Sequence, residues 1–234
     1  MYRLLPLPAA AAPRPRRKNV ILGFIAVLGF SLLGAVSLGA IAYYLPAAAA
    51  HAYWFISRSS GVVAYVLITL SVFWGLVQSG SLLSPRTLPG LPFGLHSFLS
   101  WLGLGVAALH GLVLLGDRYI NFDLAQLVTP FISTYRPIPT GLGIVSFYLM
   151  LLLTLSFYAR PHLSQTNFRL LHYASFGAFA LVTLHGIFAG TDSPALWWLY
   201  AASLLSVILL TALRVVNTRR RATRQPLRPE LQST

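Results

Sequence analysis

Residues 95–116 read Leu-His-Ser-Phe-Leu-Ser-Trp-Leu-Gly-Leu-Gly-Val-Ala-Ala-Leu-His-Gly-Leu-Val-Leu-Leu-Gly, with no Asp, Glu, Lys or Arg among them. An uncharged apolar run of about 18 or more residues is the signal of a membrane-spanning helix. The two titratable side chains in this run are His96 and His110. An ionisable residue inside a span is costly to keep there and points to function. The step of 14 residues from one to the other corresponds to about 21 Å of helix, so the two histidines lie near opposite faces of the membrane.

The rest of the chain fits that reading. It has 234 residues, 56% hydrophobic and 9% charged, with a mean hydropathy of +0.72; a soluble domain is about 25% charged. This composition excludes a disordered chain, a coiled coil and an ordinary soluble enzyme. With no cysteine, disulfides, thiolate metal sites, iron–sulfur clusters and Cys nucleophiles are excluded as well. Apolar runs occupy residues 20–45, 61–83, 95–116, 141–158, 170–190 and 195–213. Pro46, then Pro85, Pro89, Gly90 and Pro92, then Pro130, Pro137 and Pro139, and finally Pro161 and Pro194 punctuate them. The expected architecture is an all-α integral membrane bundle of six helices. A basic segment, 1–19, precedes the membrane domain at 20–216, and a basic, disordered tail at 217–234 follows it. The first run follows Arg16, Arg17 and Lys18 and precedes Ala47–Ala50, as a signal peptide would. Its apolar stretch exceeds the usual signal core of about 7–15 residues, so it reads as a retained helix.

The net charge of +13 is topological, not a nucleic-acid signal. With the N-terminus cytoplasmic, 14 of the 17 Lys and Arg fall inside: Arg3, Arg14, Arg16, Arg17, Lys18, Arg86, Arg160, Arg169, Arg214, Arg219, Arg220, Arg221, Arg224 and Arg228. Arg58, Arg118 and Arg136 fall outside. The two tails carry this asymmetry, and an even number of spans puts both on the cytoplasmic side of the cell membrane. Tyr43, Tyr44, Tyr53, Trp54, Tyr119, Trp197, Trp198 and Tyr200 gather at the outer face as interfacial anchors. The basic tail suits anionic lipid heads.

A second histidine pair, His172 and His185, lies on the fifth run. The third and fifth spans cross in the same direction, so His96 meets His172 near the cytoplasmic face and His110 meets His185 near the outer face. Each pair suits a flat group held between two imidazoles, and haem is the obvious one. At about 100° per residue, a step of 14 returns to within roughly 40° of one face, whereas the step of 13 from His172 to His185 misses by roughly 140°. Either the fifth helix is distorted near Gly177 or the two groups sit at different angles around it. Gly103, Gly105, Ala107, Ala108, Gly111, Ala174, Gly177, Ala178, Ala180 and Gly186 leave room for a porphyrin or for close helix packing. His51 and His162 fall in loops.

The spacing of His96 with His110 and of His172 with His185 resembles the ferric reductase-like transmembrane domain. This domain is shared by ferric reductases, NADPH oxidases and the haem-binding subunit of the methionine sulfoxide reductase system. Ser57-Arg58-Ser59-Ser60-Gly61, Leu171-His172-Tyr173 and His185-Gly186-Ile187-Phe188-Ala189-Gly190-Thr191-Asp192-Ser193 also look like bacterial members. The resemblance covers residues 54–216. It implies six helices, two b-type haems with these four histidines as axial iron ligands, and electron transfer from the cytoplasm to the outside. Ferric reductases and NADPH oxidases also carry a flavin and nicotinamide domain. This sequence shows no Gly-rich dinucleotide motif, so the expected donor is a separate flavin protein or a quinol. The expected acceptor is ferric iron or a periplasmic protein.

Haem propionates need cationic partners. Arg58 outside and Arg169 inside, one turn before His172, are the first candidates; Arg136 with Tyr135, Arg86 and Arg160 follow. Trp101, Phe176 and Phe179 fall between the two histidine levels and read as aromatic core packing or as a lining between the haems. Asp123 and Asp192 make the outer loops acidic, and Asp192 is positioned to cap a helix near Pro194. Two rival functions are an electron-delivery subunit for a separate periplasmic reductase and a haem-free transporter using histidines as a proton relay.

Overall fold

The computed structural model describes residues 17–79, 91–117 and 121–224. α-Helix accounts for 86% of these residues, and there is no strand among them. The elements are α1 (Arg17–Tyr44), α2 (Pro46–Ser79), α3 (Leu91–Leu114), the short α4 (Leu124–Val128), α5 (Pro137–Ala159), α6 (Gln165–Ala189) and α7 (Trp197–Arg224), with a 3-10 turn at Arg160–His162. We call the end of the bundle that carries α4 the loop end, and the end where α7 runs out the tail end.

Within the described residues, five segments are long and apolar enough to cross a membrane: Ala52–Ser79, Gly94–Leu114, Pro137–His162, Gln165–Ala189 and Trp197–Arg220. In α1 the apolar stretch found among the described residues is the shorter Ser31–Ile41. Large apolar side chains such as Leu33, Val36, Phe98, Leu170, Leu205 and Ile208 point outward. A belt of that kind calls for lipid, because exposure to water of so much apolar surface costs about 25 cal/mol per Å².

Small residues and hydroxyls set the helix contacts, as expected where the surroundings are as apolar as the core. The fully buried Ser31 of α1 donates to the Gly105 carbonyl of α3 (2.9 Å), and Gly34 sits against Leu109. Ser146 of α5 donates to the Ala178 carbonyl of α6 (2.9 Å). Gly103 of α3 packs on Leu67 and Ile68, and Gly111 on Leu127. Most of the small residues on α3 therefore serve packing. The buried centre is aromatic: Tyr65, Phe179 and Tyr200, with Ile68, Leu76 and Val207.

Several boundaries differ from the sequence-based expectation. α2 begins at Pro46 and has 34 residues, so the backbone of His51 and the residues Tyr53 and Trp54 belong to a helix and not to a loop. Proline is well placed in a first helical turn, where its missing N–H has no partner to lose. The same reason puts Pro137 and Pro139 in the first turn of α5. Asp123 caps α4, accepting from the Gln126 N–H at 2.8 Å. α7 continues as helix to Arg224, so residues 217–224 are not a disordered tail. Tyr43, Tyr44, Trp54, Trp197 and Trp198 are exposed near the loop end, as anchors should be, but Tyr53 and Tyr200 are buried. Arg3, Arg14, Arg16, Arg86, Arg118, Tyr119, Arg228, Pro85, Pro89 and Gly90 lie outside the described residues.

The end of α6 shows how the bundle satisfies a helix terminus. The last carbonyls of a helix have no partner within it. Here Ser193 donates to the Gly186 carbonyl (2.8 Å), the Arg136 guanidinium to that of Phe188 (2.6 Å), and the Tyr135 hydroxyl to that of Ala189 (3.4 Å). Arg136 is thus a helix cap held from the loop before α5, and it lines neither cavity described below.

Candidate functional site

The four histidines meet in two pairs. The ring centres of His96 and His172 are 6.2 Å apart with planes at 74°, and those of His110 and His185 are also 6.2 Å apart at 74°. An imidazole nitrogen binds a metal at about 2 Å. With about 1.1 Å more from nitrogen to ring centre, two rings on opposite sides of one metal ion stand roughly 6 Å apart.

Three of the four rings are held in the same way. The Nδ1–H of His110 donates to the Ser57 carbonyl (2.7 Å), that of His96 to the Ser71 carbonyl (3.0 Å), and that of His185 to the Pro139 carbonyl (2.8 Å). A carbonyl only accepts, so Nδ1 must carry the proton, and in the neutral ring the lone pair is then on Nε2. Four residues further along each supporting helix stands a glycine against the same ring. A Cβ on Gly61 would lie 3.1 Å from His110, on Gly75 3.3 Å from His96, and on Gly143 2.6 Å from His185. Residues i and i+4 share a helix face, so each carbonyl and glycine form one seat: Ser57 with Gly61, Ser71 with Gly75, and Pro139 with Gly143. The two seats on α2 repeat at the 14-residue interval of His96 and His110 on α3. Glycines that make room for the site therefore stand opposite the histidines and not beside them.

Each pair opens on its own cavity. The tail-end cavity holds about 1130 Å³ of empty space, mouth included; its walls include Ile68, Leu76, His96, Leu104, His172 and Phe176, with Arg169 and Arg214. The loop-end cavity holds about 1250 Å³ and is lined by His110, His185, Val182 and Tyr200, with Arg58, Asp117 and Asp192. The first uses several residues of α5 where the second uses the start of α7. Because α6 is continuous α-helix from Gln165 to Ala189, the different walls, and not a distortion at Gly177, take up the angular offset between His172 and His185.

Tyr65 and Phe179 stack between the cavities, with centroids 6.2 Å apart and planes 20° apart. Phe179 lines one cavity and Tyr65 the other. Of the three aromatics expected between the histidine levels, Phe179 lies in this layer and Phe176 lines the tail-end cavity. Trp101 lines neither; its Nε1–H donates to the Tyr158 hydroxyl at 3.0 Å, tying α3 to α5. Trp101→Phe should lower stability by about 1 kcal/mol, the usual net worth of one hydrogen bond, with a small fall in the melting temperature and an unchanged absorbance spectrum.

The cations divide unevenly. Arg58 pairs with Asp192 at the loop-end mouth and lies over the Trp54 ring, 4.0 Å from its centre. Asp192 is therefore an ion-pair partner, and α7 starts later, at Trp197. Arg169 lines the tail-end cavity, joined there by Arg214. Arg160 lies over the ring of Phe168, a residue of the tail-end cavity wall, at 5.2 Å, and does not itself line the cavity. His162 is exposed in its 3-10 turn. Among the described residues, no group of three or more His, Asp or Glu side chains converges as a metal site would require.

No family model, curated protein or solved structure matches this chain.

Proposed function

We propose that this chain is a transmembrane electron-transfer protein of the ferric reductase-like kind. In this reading it binds two b-type haems, one between His96 and His172 and one between His110 and His185. The observation that carries the reading is the matched pair of 6.2 Å, 74° imidazole arrangements, each facing its own largely apolar cavity. Six spans, counting α1, would set both termini and the tail end on the cytoplasmic side. The cytoplasmic donor is a separate flavin protein or a quinol, and the outer acceptor is ferric iron or a periplasmic protein.

Haem, when bound, supplies a one-electron couple at each level. The chain's own residues do the rest. The carbonyls of Ser57, Ser71 and Pro139 hold Nδ1 protonated and aim Nε2 inward, as outer partners of metal-bound histidines do. The apolar walls exclude water. Tyr65 and Phe179 fill the gap between the levels. Arg169 and Arg214 offer cations to propionates at the tail end, and Arg58 does so at the loop end.

Because Arg58 is paired with Asp192, the two residues should move the loop-end potential in opposite directions. A cation favours the reduced state and an anion the oxidised one. Arg58→Ala is expected to lower that midpoint, and Asp192→Asn to raise it, each on the order of tens of millivolts. Redox titration of the purified variants checks both signs; equal shifts of the same sign would remove Arg58 from this role. A haem-free proton relay would give a colourless protein. An electron-delivery subunit would give the same spectrum but would not reduce ferric iron by itself.

A further inference from the structure

Three of the four histidines are seated alike, and the fourth is not. His96, His110 and His185 each donate Nδ1–H to a carbonyl on a second helix and have a glycine against the ring. Among the described residues His172 has neither. The imidazole of a histidine turns about χ2, a broad terminal torsion, so a ring without such a bond needs another constraint. The structure supplies a flat one. Phe168, one turn earlier on α6, lies against His172 with ring centres 5.9 Å apart and planes at 16°, within the roughly 4.5–7 Å of offset-stacked rings. Residues i and i+4 share a helix face, and both side chains line the tail-end cavity. Turning His172 about χ2 takes its plane away from that of Phe168 and gives up the contact.

Phe168 is held in turn from the link before α6. The Arg160 guanidinium lies over its ring, 5.2 Å from the centre; a cation within about 6 Å of an aromatic face is attracted by the ring quadrupole. Arg160 opens the 3-10 turn Arg160–His162, and Leu163 closes it by donating its N–H to the Arg160 carbonyl (3.2 Å). Ser164 then caps α6, its hydroxyl accepting from the Asn167 N–H (3.1 Å) and its carbonyl from the Phe168 N–H (2.9 Å). Arg160 does not line the cavity, so it is placed to hold a ring and not a propionate. We propose that Phe168 is the positioning residue of His172 and that Arg160 clamps it there. Together they do for His172 what a carbonyl and a glycine do for each of the other three histidines. This inference rests on the two-haem reading above.

The test is electron paramagnetic resonance of the intact, oxidised, purified protein, with haem release to excess apomyoglobin followed in parallel. The angle between two axial imidazole planes sets the anisotropy of a low-spin ferric signal, so a turned His172 ring is visible directly. The loop-end component is the one that His110→Ala loses. Phe168→Leu keeps an apolar side chain and removes the flat face. It is expected to shift or broaden the tail-end component and to leave the loop-end one in place. It should also release tail-end haem roughly tenfold faster, the low end for a lost outer partner of a metal ligand. Phe168→Tyr keeps the ring and should match the unmodified protein, while Arg160→Gln should move the same component in the same direction by less. An unchanged signal and release rate in Phe168→Leu, or equal changes in both components, would overturn the positioning role while leaving the two-haem reading intact. An unmodified protein without haem would overturn the reading beneath it.

Discussion

His110→Ala is expected to reduce haem from two per chain to one and to abolish the higher- or lower-potential half of the redox titration, leaving the other half in place. The half-buried ring of His110 lies against Gly61 in the wall of the loop-end cavity, with Nδ1 fixed by the Ser57 carbonyl at 2.7 Å. Among the described residues only His185 joins it in lining the loop-end cavity, and His96 stands 14 residues away on the same helix, about 21 Å along the axis. His185→Ala should give the same spectrum and the same missing midpoint, because both residues hold one group. His96→Ala should remove the complementary half. Haem content and potentiometric titration of the three variants check this pairing. If His110→Ala and His185→Ala lost different components, the assignment of pairs would fail.

Gly143→Val should come close to the effect of His185→Ala, although glycine has no side chain to offer a cofactor. A Cβ at position 143 would stand 2.6 Å from Nδ1, 2.8 Å from Cε1 and 2.9 Å from Cγ of His185, inside any real contact distance. The added branches of valine deepen the clash. The imidazole must leave the Pro139 carbonyl, and with it the orientation that points Nε2 inward; loss of an outer partner of a metal ligand typically costs 10–100-fold in affinity, roughly. The expected outcome is loop-end haem lost or reduced to a fraction, with the tail-end component unchanged. Gly177→Val is the control: nothing lies within 4 Å of a Cβ there, so haem content should hold. Equal haem in the Gly143 and wild-type proteins would show that the seat does not position His185.

The histidine pairs were legible in the sequence because they depend on span order and spacing alone. Two helices separated by one other run the same way, and rise per residue fixes depth. The seats were not legible. Gly61, Gly75 and Gly143 lie in apolar runs where glycine ordinarily means helix packing, and which helix faces which histidine depends on rotations that hydropathy does not encode. One signal was available: Ser57 and Ser71, with Gly61 and Gly75, repeat at the 14-residue interval of His96 and His110. By sequence Tyr200 belongs with the aromatics that gather at the outer face; the structure turns it inward against Tyr65, ring centres 5.0 Å apart. Arg136, with Tyr135 a candidate propionate partner by sequence, instead gives its guanidinium to the terminus of α6. Arg214 was counted only for topology, and the packing of α7 brings it to the tail-end cavity.

The central claim is that each histidine pair holds one haem, and the most direct test is a reduced-minus-oxidised absorbance spectrum of the detergent-purified protein with haem iron counted per chain. The account predicts a low-spin b-type spectrum and two haems per chain. A colourless protein, expressed with ample haem, would contradict it.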